Sequence, residues 1–302
     1  MLDNISKIVC GFKVDLDIIG ALWLLAFRFD VKADAIEFVF GDAKAEDLSD
    51  PTVVCIECGG SGRVDLMNFD HHGEGSEGLV SATWQAYDKY KPVGVYTEDT
   101  QRIVKYIDTM DRFGPDEIRK YSIGEPPFLS DIISGIFLVN PKDNAKKVEE
   151  GILFLDDISR SGIDPFGSMK LLVDENEHYV QFVDAHAENK RQVQKVVEKA
   201  TWGKTKSGLI IASVESGFFG TIGALYENGA QVVVAVNPNF QGIRKFTVAG
   251  NKGISVAPAA DDISKVESGW GGPPSGTIIG SNQKKDSELD LELVTRIVVS
   301  AI

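Results

Sequence analysis

Hydrophobic positions fall into two kinds of run, short strand-like stretches and longer ones with a period near 3.6 residues, and the two alternate through the first 120 or so residues. Residues 7–14 predict a short strand and 18–27 a helix. Residues 52–56 predict a second strand, and Ile103, Val104 and Ile107 mark the apolar face of a helix that closes near Asp111. From residue 131 to 199 the pattern turns helical, as in 144–154 and 184–197. Strand patterns return at 208–214, 231–236 and 245–249, with a helix-like run over 218–226. This order predicts an α/β protein. Its expected parts are a parallel-sheet domain over 1–125, a helical connector over 126–203 and a smaller α/β substrate domain over 204–302, with a cleft between the two domains. No internal repeat or low-complexity tract is apparent.

Acids sit where the predicted strands end. Asp15 and Asp17 follow the first strand, and on an extended segment residues i and i+2 project to one side, so both would face one point. Two such carboxylates repel unless a cation sits between them. Glu57 closes the second strand just before Gly59 and Gly60, which let a backbone approach a ligand. Asp70, His71, His72 and Gly73 then place two of the four histidines beside a carboxylate and a turn. That donor set suits a borderline divalent ion such as Mn²⁺ or Zn²⁺, with one ring free to face substrate. Open α/β sheets put ligands at strand carboxyl ends, where these residues would meet Asp108 or Asp111. Plainer readings exist for each alone: a helix cap for Asp17, solvated helix positions for Asp108 and Asp111, a His-rich surface loop for residues 70–72. The spaced combination is far more specific than any member.

Composition narrows the class. A chain of 302 residues that is 43% hydrophobic and 25% charged buries a large core and is expected to form two domains. The longest apolar run, near Ile18, is about ten residues and too short to span a bilayer, and no signal-peptide pattern opens the chain. Three cysteines cannot all pair, so Cys10, Cys55 and Cys58 are expected buried and reduced, as in a cytoplasmic enzyme. With 31 Lys and Arg against 45 Asp and Glu, the net charge of −14 opposes loose binding to long duplex DNA. Small phosphorylated substrates or short oligonucleotides are favoured, no membrane partner is expected, and a homodimer stays open. His178 and His186 fall in the helical stretch and read as satisfied surface residues.

The motifs in this order resemble the DHH phosphoesterase superfamily, which includes RecJ-type exonucleases, nanoRNases and family II inorganic pyrophosphatases. The first motif, His-x-Asp-x-Asp, aligns with residues 13–17, the second with Glu57 to Gly60, and the signature with Asp70, His71 and His72. Asp108 or Asp111 fills the fourth, and residues 81–84 suggest the helix that follows the signature. By motifs the resemblance covers about the first third of the chain. Residues 268–277 resemble the glycine-rich loop of the DHH-associated C-terminal domain, in which Gly271, Gly272, Ser275 and Thr277 would hold phosphate or a terminal nucleotide, with Arg244 nearby.

The resemblance implies hydrolysis of a phosphate ester by metal-activated water, with one or two Mn²⁺ ions, or Mg²⁺. Asp15, Asp17, Glu57, His71 and one of Asp108 or Asp111 would be ligands. Asp70 would orient His71 from behind, His72 would contact the phosphate, and Lys13 would act beside them. The chain departs from the pattern in three places: Lys13 replaces a histidine, Glu57 replaces an aspartate, and the C-terminal loop has Pro273 and Pro274 near the place of its usual histidine. A second expectation is therefore a nucleotide- or phosphate-binding protein that kept the fold and lost turnover. An α/β metabolic enzyme unrelated to DHH proteins ranks last.

Overall fold

Strand β1 (Lys7–Gly11) pairs in parallel with β2 (Glu37–Val39) on one side and β3 (Val53–Ile56) on the other, and β3 pairs in parallel with β4 (Asn68–Phe69). The sheet order is β2-β1-β3-β4. Register sets Cys10 beside Ile56 and Ile56 beside Phe69, so Gly11, the last residue of β1, and Glu57 and Asp70, which follow β3 and β4, lie along one edge. A Cβ at Gly11 would run into the carbonyl oxygen of Glu57, which is why that strand end has no side chain. Helix α1 (Leu16–Ala26) crosses from β1 to β2 and α2 (Ala45–Ser49) from β2 to β3. Every residue of α1 from Leu16 to Leu25 is buried, because a helix apolar on all sides must be wrapped. Its wrapping is α3 (Ala82–Tyr90), α4 (Glu98–Phe113) and, after α5 (Pro115–Tyr121) and α6 (Leu129–Val139), α7 (Asn144–Ser161).

The computed structural model describes residues 5–73, 76, 78–90, 98–240, 242–273, 275–282 and 284–302, so Pro274 lies outside it. The chain divides into two compact units, Met1–His186 and Ala187–Ile302. This differs from an independent connector over 126–203. Ile132 and Ile136 of α6, Phe154, Leu155 and Ile158 of α7, and Leu172 of α8 (Lys170–Glu175) share one core with α1. Helical periodicity shows that an apolar stripe exists and not which core receives it. Helix α9 (Val180–Glu198) runs across the division. Of the two histidines in this stretch, His178 meets Glu150 at 2.6 Å and His186 lies 3.5 Å from Asp131, so both are satisfied.

The second unit holds β5 (Thr201–Lys204), β6 (Ile210–Glu215), β7 (Val232–Phe240), β8 (Ile243–Gly250) and β9 (Ile278–Gly280) in sequential order. Only β6 and β7 are parallel, joined through α10 (Thr221–Glu227). On one face Val234, Phe246 and Val248 pack with Ile263 of α11 (Ala257–Ser264) and with Val294 and Val298 of α12 (Leu291–Ala301). On the other, Ala212, Val214 and Val233 pack with Val193 and Val197 of α9 and Leu225 of α10. The protein is thus α/β, with a parallel sheet and a mixed one. Cys10, Cys55 and Cys58 are free and buried. No helix among the described residues is long and apolar enough to cross a membrane.

Candidate metal centre

The carboxyl edge of the parallel sheet brings Asp17, Glu57, His71, His72 and Asp111 together. Ligand atoms of Asp17, His71 and Asp111, and likewise those of Glu57, His71 and His72, lie within 4.8 Å of one another. Glu57 adopts a left-handed backbone (φ 52°) directly after β3, a strained conformation for a residue with a Cβ that turns its side chain into this group. Its Oε2 lies 2.6 Å from His72 Nδ1, and its Oε1 lies 3.8 Å from His71 Nε2. His71 Nε2 also lies 2.9 Å from Asp111 Oδ2.

Asp15 and Asp17 converge by another route than an extended pair. The strand stops at Gly11 and the helix begins at Leu16, so Asp15 is the N-cap of α1, accepting from the Ile18 N–H at 3.0 Å, while Asp17 already lies in the first turn. Nor does Asp17 cap its own helix. Its two oxygens accept the N–H groups of Ala82 (2.7 Å) and Thr83 (2.8 Å) at the start of α3. Asp108 accepts the Ser81 N–H at 2.8 Å and faces Arg112, so Asp111, one turn along α4, is the acid beside His71. The expected link from Asp70 to His71 is absent among the described contacts. Asp70 accepts from Gly59 N–H (2.7 Å) and His72 N–H (2.8 Å), and its side chain lies 3.3 Å from His72 Nδ1. Lys13 is exposed, and its charge acts on Asp15.

Sequence reasoning missed Gln85. It is 5% exposed, its Oε1 accepts the Asp70 N–H and its Nε2 donates to the Asp70 carbonyl at 2.9 Å, clamping the signature strand to α3. An amide on the buried face of a helix was the available signal.

The electrostatics are those of a place prepared for positive charge. Burial, with Asp17 and Asp111 close by, pushes the Asp15 carboxyl up to about 6. Burial, then the charges of Glu57 and Asp111, pushes Asp17 up to about 7. Glu57 is raised chiefly by burial. Hydrogen bonding to Asp70 and Glu57 lifts His72 to about 10, and Asp111 raises His71. Asp70 is the exception: burial pushes it up, but hydrogen bonds from His72 and Gly59 outweigh that and hold it below the usual carboxylate range. His71 Nε2 and Glu57 Oε1 are both buried without a hydrogen-bond partner. Each such orphan costs about 1–3 kcal/mol unless something ligates it. One divalent cation would satisfy both atoms and neutralise the crowded acids, so the donor set fits an ion of the Mn²⁺, Mg²⁺ or Zn²⁺ kind.

The glycine-rich loop is more occupied than its sequence suggested. Gly271 N–H donates to the Gly280 carbonyl at 3.1 Å, and the Gly271 carbonyl receives the Gly280 N–H at 2.8 Å, so its amide is spent on the sheet edge. A Cβ at Gly272 would collide with the Ile278 carbonyl oxygen, so that glycine serves a close backbone approach. Ser275 and Thr277 hydroxyls meet each other at 3.1 Å on the loop's exposed side. The Arg244 guanidinium donates through Nη1 to the carbonyls of Ser287 and Leu289 and lies 4.9 Å from the Phe246 ring centre. Gly272→Val is accordingly expected to lower the stability of the second unit by roughly 2–4 kcal/mol, read as an earlier urea transition. A variant that unfolds with the wild type would show the loop to have room for the side chain.

A parallel α/β unit with acids and histidines gathered at its strand ends, followed by a mixed-sheet unit, defines a two-unit α/β protein with a candidate metal centre. Two solved structures share that architecture, one of them a DHH domain. PggH of Vibrio cholerae, a pGpG-specific phosphodiesterase, superposes on 96% of this chain, with 98% of its own covered, at a TM-score of 0.61 and 13% identity. A DHH-domain structure described as a member of a family of ribosomal proteins covers 98% of this chain and 86% of its own, at a TM-score of 0.54 and 10% identity. At such identities the likeness carries the fold alone. No protein-family model and no curated protein matches the sequence.

Proposed function

We propose that the protein is a metal-dependent phosphohydrolase acting on phosphate esters of nucleotides or short oligonucleotides in the cytoplasm. The observation that carries this reading is the pair of buried, unpartnered atoms, His71 Nε2 and Glu57 Oε1, in a knot of acids at the sheet edge. Asp15, Asp17, Glu57, His71 and Asp111 would hold the ion, Mn²⁺ or Mg²⁺. Bound there, it would acidify a water and neutralise charge on phosphoryl oxygens. His72, 66% exposed and held charged by Asp70 and Glu57, would present a cationic N–H to a phosphate oxygen and retain its proton at neutral pH. Asp70, anchored by Gly59, would fix that ring, and Lys13 would add a second cation beside Asp15. The acidic balance favours short substrates, and three buried, free thiols suit a reducing compartment.

The second reading, a phosphate- or nucleotide-binding protein without turnover, is favoured by one observation: Lys13, at the place of a histidine ligand, is exposed. A test that separates the two uses metal-stripped protein with Mn²⁺ restored, bis(4-nitrophenyl) phosphate, and oligonucleotides from dinucleotides to about twenty residues. The expected result is hydrolysis that disappears with EDTA and is faster on the shortest members. Binding without release of product would establish the second reading. Rates that climb with length and fall steeply with salt would replace the short-substrate reading by a processive one.

A further inference from the structure

The first unit has a hollow to which no residue of the metal centre belongs. Lys105 and Phe113, two turns apart on α4, Glu117 and Tyr121, one turn apart on α5, and Asp164 and Phe166 of the turn after α7 line a cavity of about 540 Å³. That volume falls within the roughly 300–1,000 Å³ of small-molecule sites. Its aromatic wall is backed by other groups. Phe166 is half-buried, meets the buried Tyr106 ring edge-on at 5.1 Å and the Tyr121 ring at 6.1 Å, and accepts the Ile123 N–H on its carbonyl at 3.0 Å. Arg112 lies over the Phe113 ring at 5.1 Å. Phe113 and Tyr121 remain 60% and 55% exposed, two large rings on either side of one open space.

The charges on this wall are one satisfied group and two uncommitted ones. Glu117 is held by Lys120 and by the Tyr121 hydroxyl, which donates to its Oε1 at 3.2 Å. Lys105 is exposed, and no carboxylate pairs with it among the described residues. Asp164 accepts the Phe166 N–H through Oδ1 at 3.0 Å, which leaves its second oxygen without a described partner. No ion pair joins Lys105 to Asp164 among the described residues, although both border the same hollow. Opposite charges that face one space without meeting fit a ligand carrying both signs. A purely anionic ligand would meet Glu117 and Asp164, and a purely cationic one would meet Lys105. We propose that this hollow binds an aromatic amino acid as its zwitterion, the ring against Phe113, Tyr121 and Phe166, the carboxylate on Lys105 and the ammonium on Asp164. The site lies outside the machinery of phosphate-ester hydrolysis.

Isothermal titration of the full-length protein with L-tryptophan, tryptamine, indole-3-propionate and L-leucine tests it. Tryptamine keeps the ammonium and lacks the carboxylate, indole-3-propionate does the reverse, and leucine keeps both without a ring. L-Tryptophan is expected to bind about tenfold or more tighter than each of the three, because each lacks one charge-assisted contact or the aromatic surface. Lys105→Met should weaken L-tryptophan about tenfold and leave tryptamine unchanged. Asp164→Asn, whose amide oxygen can still accept the Phe166 N–H, should weaken L-tryptophan about tenfold and leave indole-3-propionate unchanged. Since each charge variant is expected to keep one ligand, retention of that ligand shows that the hollow is still folded. No binding of L-tryptophan at millimolar concentration, leucine binding as tightly as tryptophan, or tryptophan affinity untouched in both variants would overturn the site. Loss of every ligand in either variant would overturn the assignment of its charge. Neither metal nor nucleotide enters this assay, so its failure leaves the phosphohydrolase reading as it stands.

Discussion

Asp111→Asn and His71→Ala should each weaken Mn²⁺ binding about 100-fold or more and abolish phosphodiester hydrolysis, whereas Asp108→Asn should leave metal affinity within a few-fold of wild type. The contrast follows from one turn of α4. Asp111 stands 2.9 Å from a buried ring nitrogen that has no hydrogen-bond partner, so removing its charge removes a ligand from the crowded group. Asp108 instead takes the Ser81 N–H at 2.8 Å, and an asparagine oxygen can accept the same bond. Its loss of charge should therefore register as stability, about 1 kcal/mol, because the interaction with α3 and Arg112 weakens. Mn²⁺ titration calorimetry on dialysed protein reads the first effect and urea unfolding the second. Equal loss of metal in the Asp108 and Asp111 variants would mean that the fourth-motif role is shared and that the assignment to Asp111 is wrong.

The metal-free protein should become less stable as pH rises from about 4 to about 10, the reverse of ordinary acid denaturation. Asp15 and Asp17 titrate near 6 and 7 in the folded chain against about 3.9 unfolded. The stabilisation from holding those protons is complete below about pH 4 and is lost as pH passes through 6 to 7. His72 acts in the same direction: raised to about 10 against about 6.5 unfolded, it contributes fully below 6.5 and loses its contribution toward 10. Because the His72 ring is 66% exposed and screened, most of the effect should come from the two acids. Between pH 5 and 8 the expected loss is on the order of 4 kcal/mol, visible as a falling thermal midpoint in EDTA. Saturating Mn²⁺ should remove most of that slope, since it replaces the protons as the balancing charge, and its stabilisation should grow with pH. A flat profile in EDTA would show that the acids are solvated or paired in some other way.

Much of the architecture follows from periodicity and turn chemistry. The runs at 7–14, 52–56 and 231–236 are β-rich and became β1, β3 and β7, while residues 18–27 became α1 because their apolar character is interrupted by no helix breaker except Gly20. Acids following apolar strands also pointed to the correct sheet edge, since parallel strands end on one side whatever their partners. The nearness of Glu57 to His71 and His72 was legible for the same reason. The partners of Arg244, carbonyls at Ser287 and Leu289, were not legible, because a cation near a loop looks the same in sequence whether it faces solvent or donates to a distant carbonyl.

Local chemistry therefore decided the element types, the order of strand and helix, and which residues could serve as ligands. Those properties depend on side chains within a few positions of one another. Tertiary structure alone decided that Asp17 reaches across 65 positions to the amide of Ala82, that Asp111 and not Asp108 meets His71, and that α6 to α8 share the core of α1. Each of these is a choice among partners that the same local pattern allows, and it is made by packing and by the cost of leaving a buried polar group unpaired.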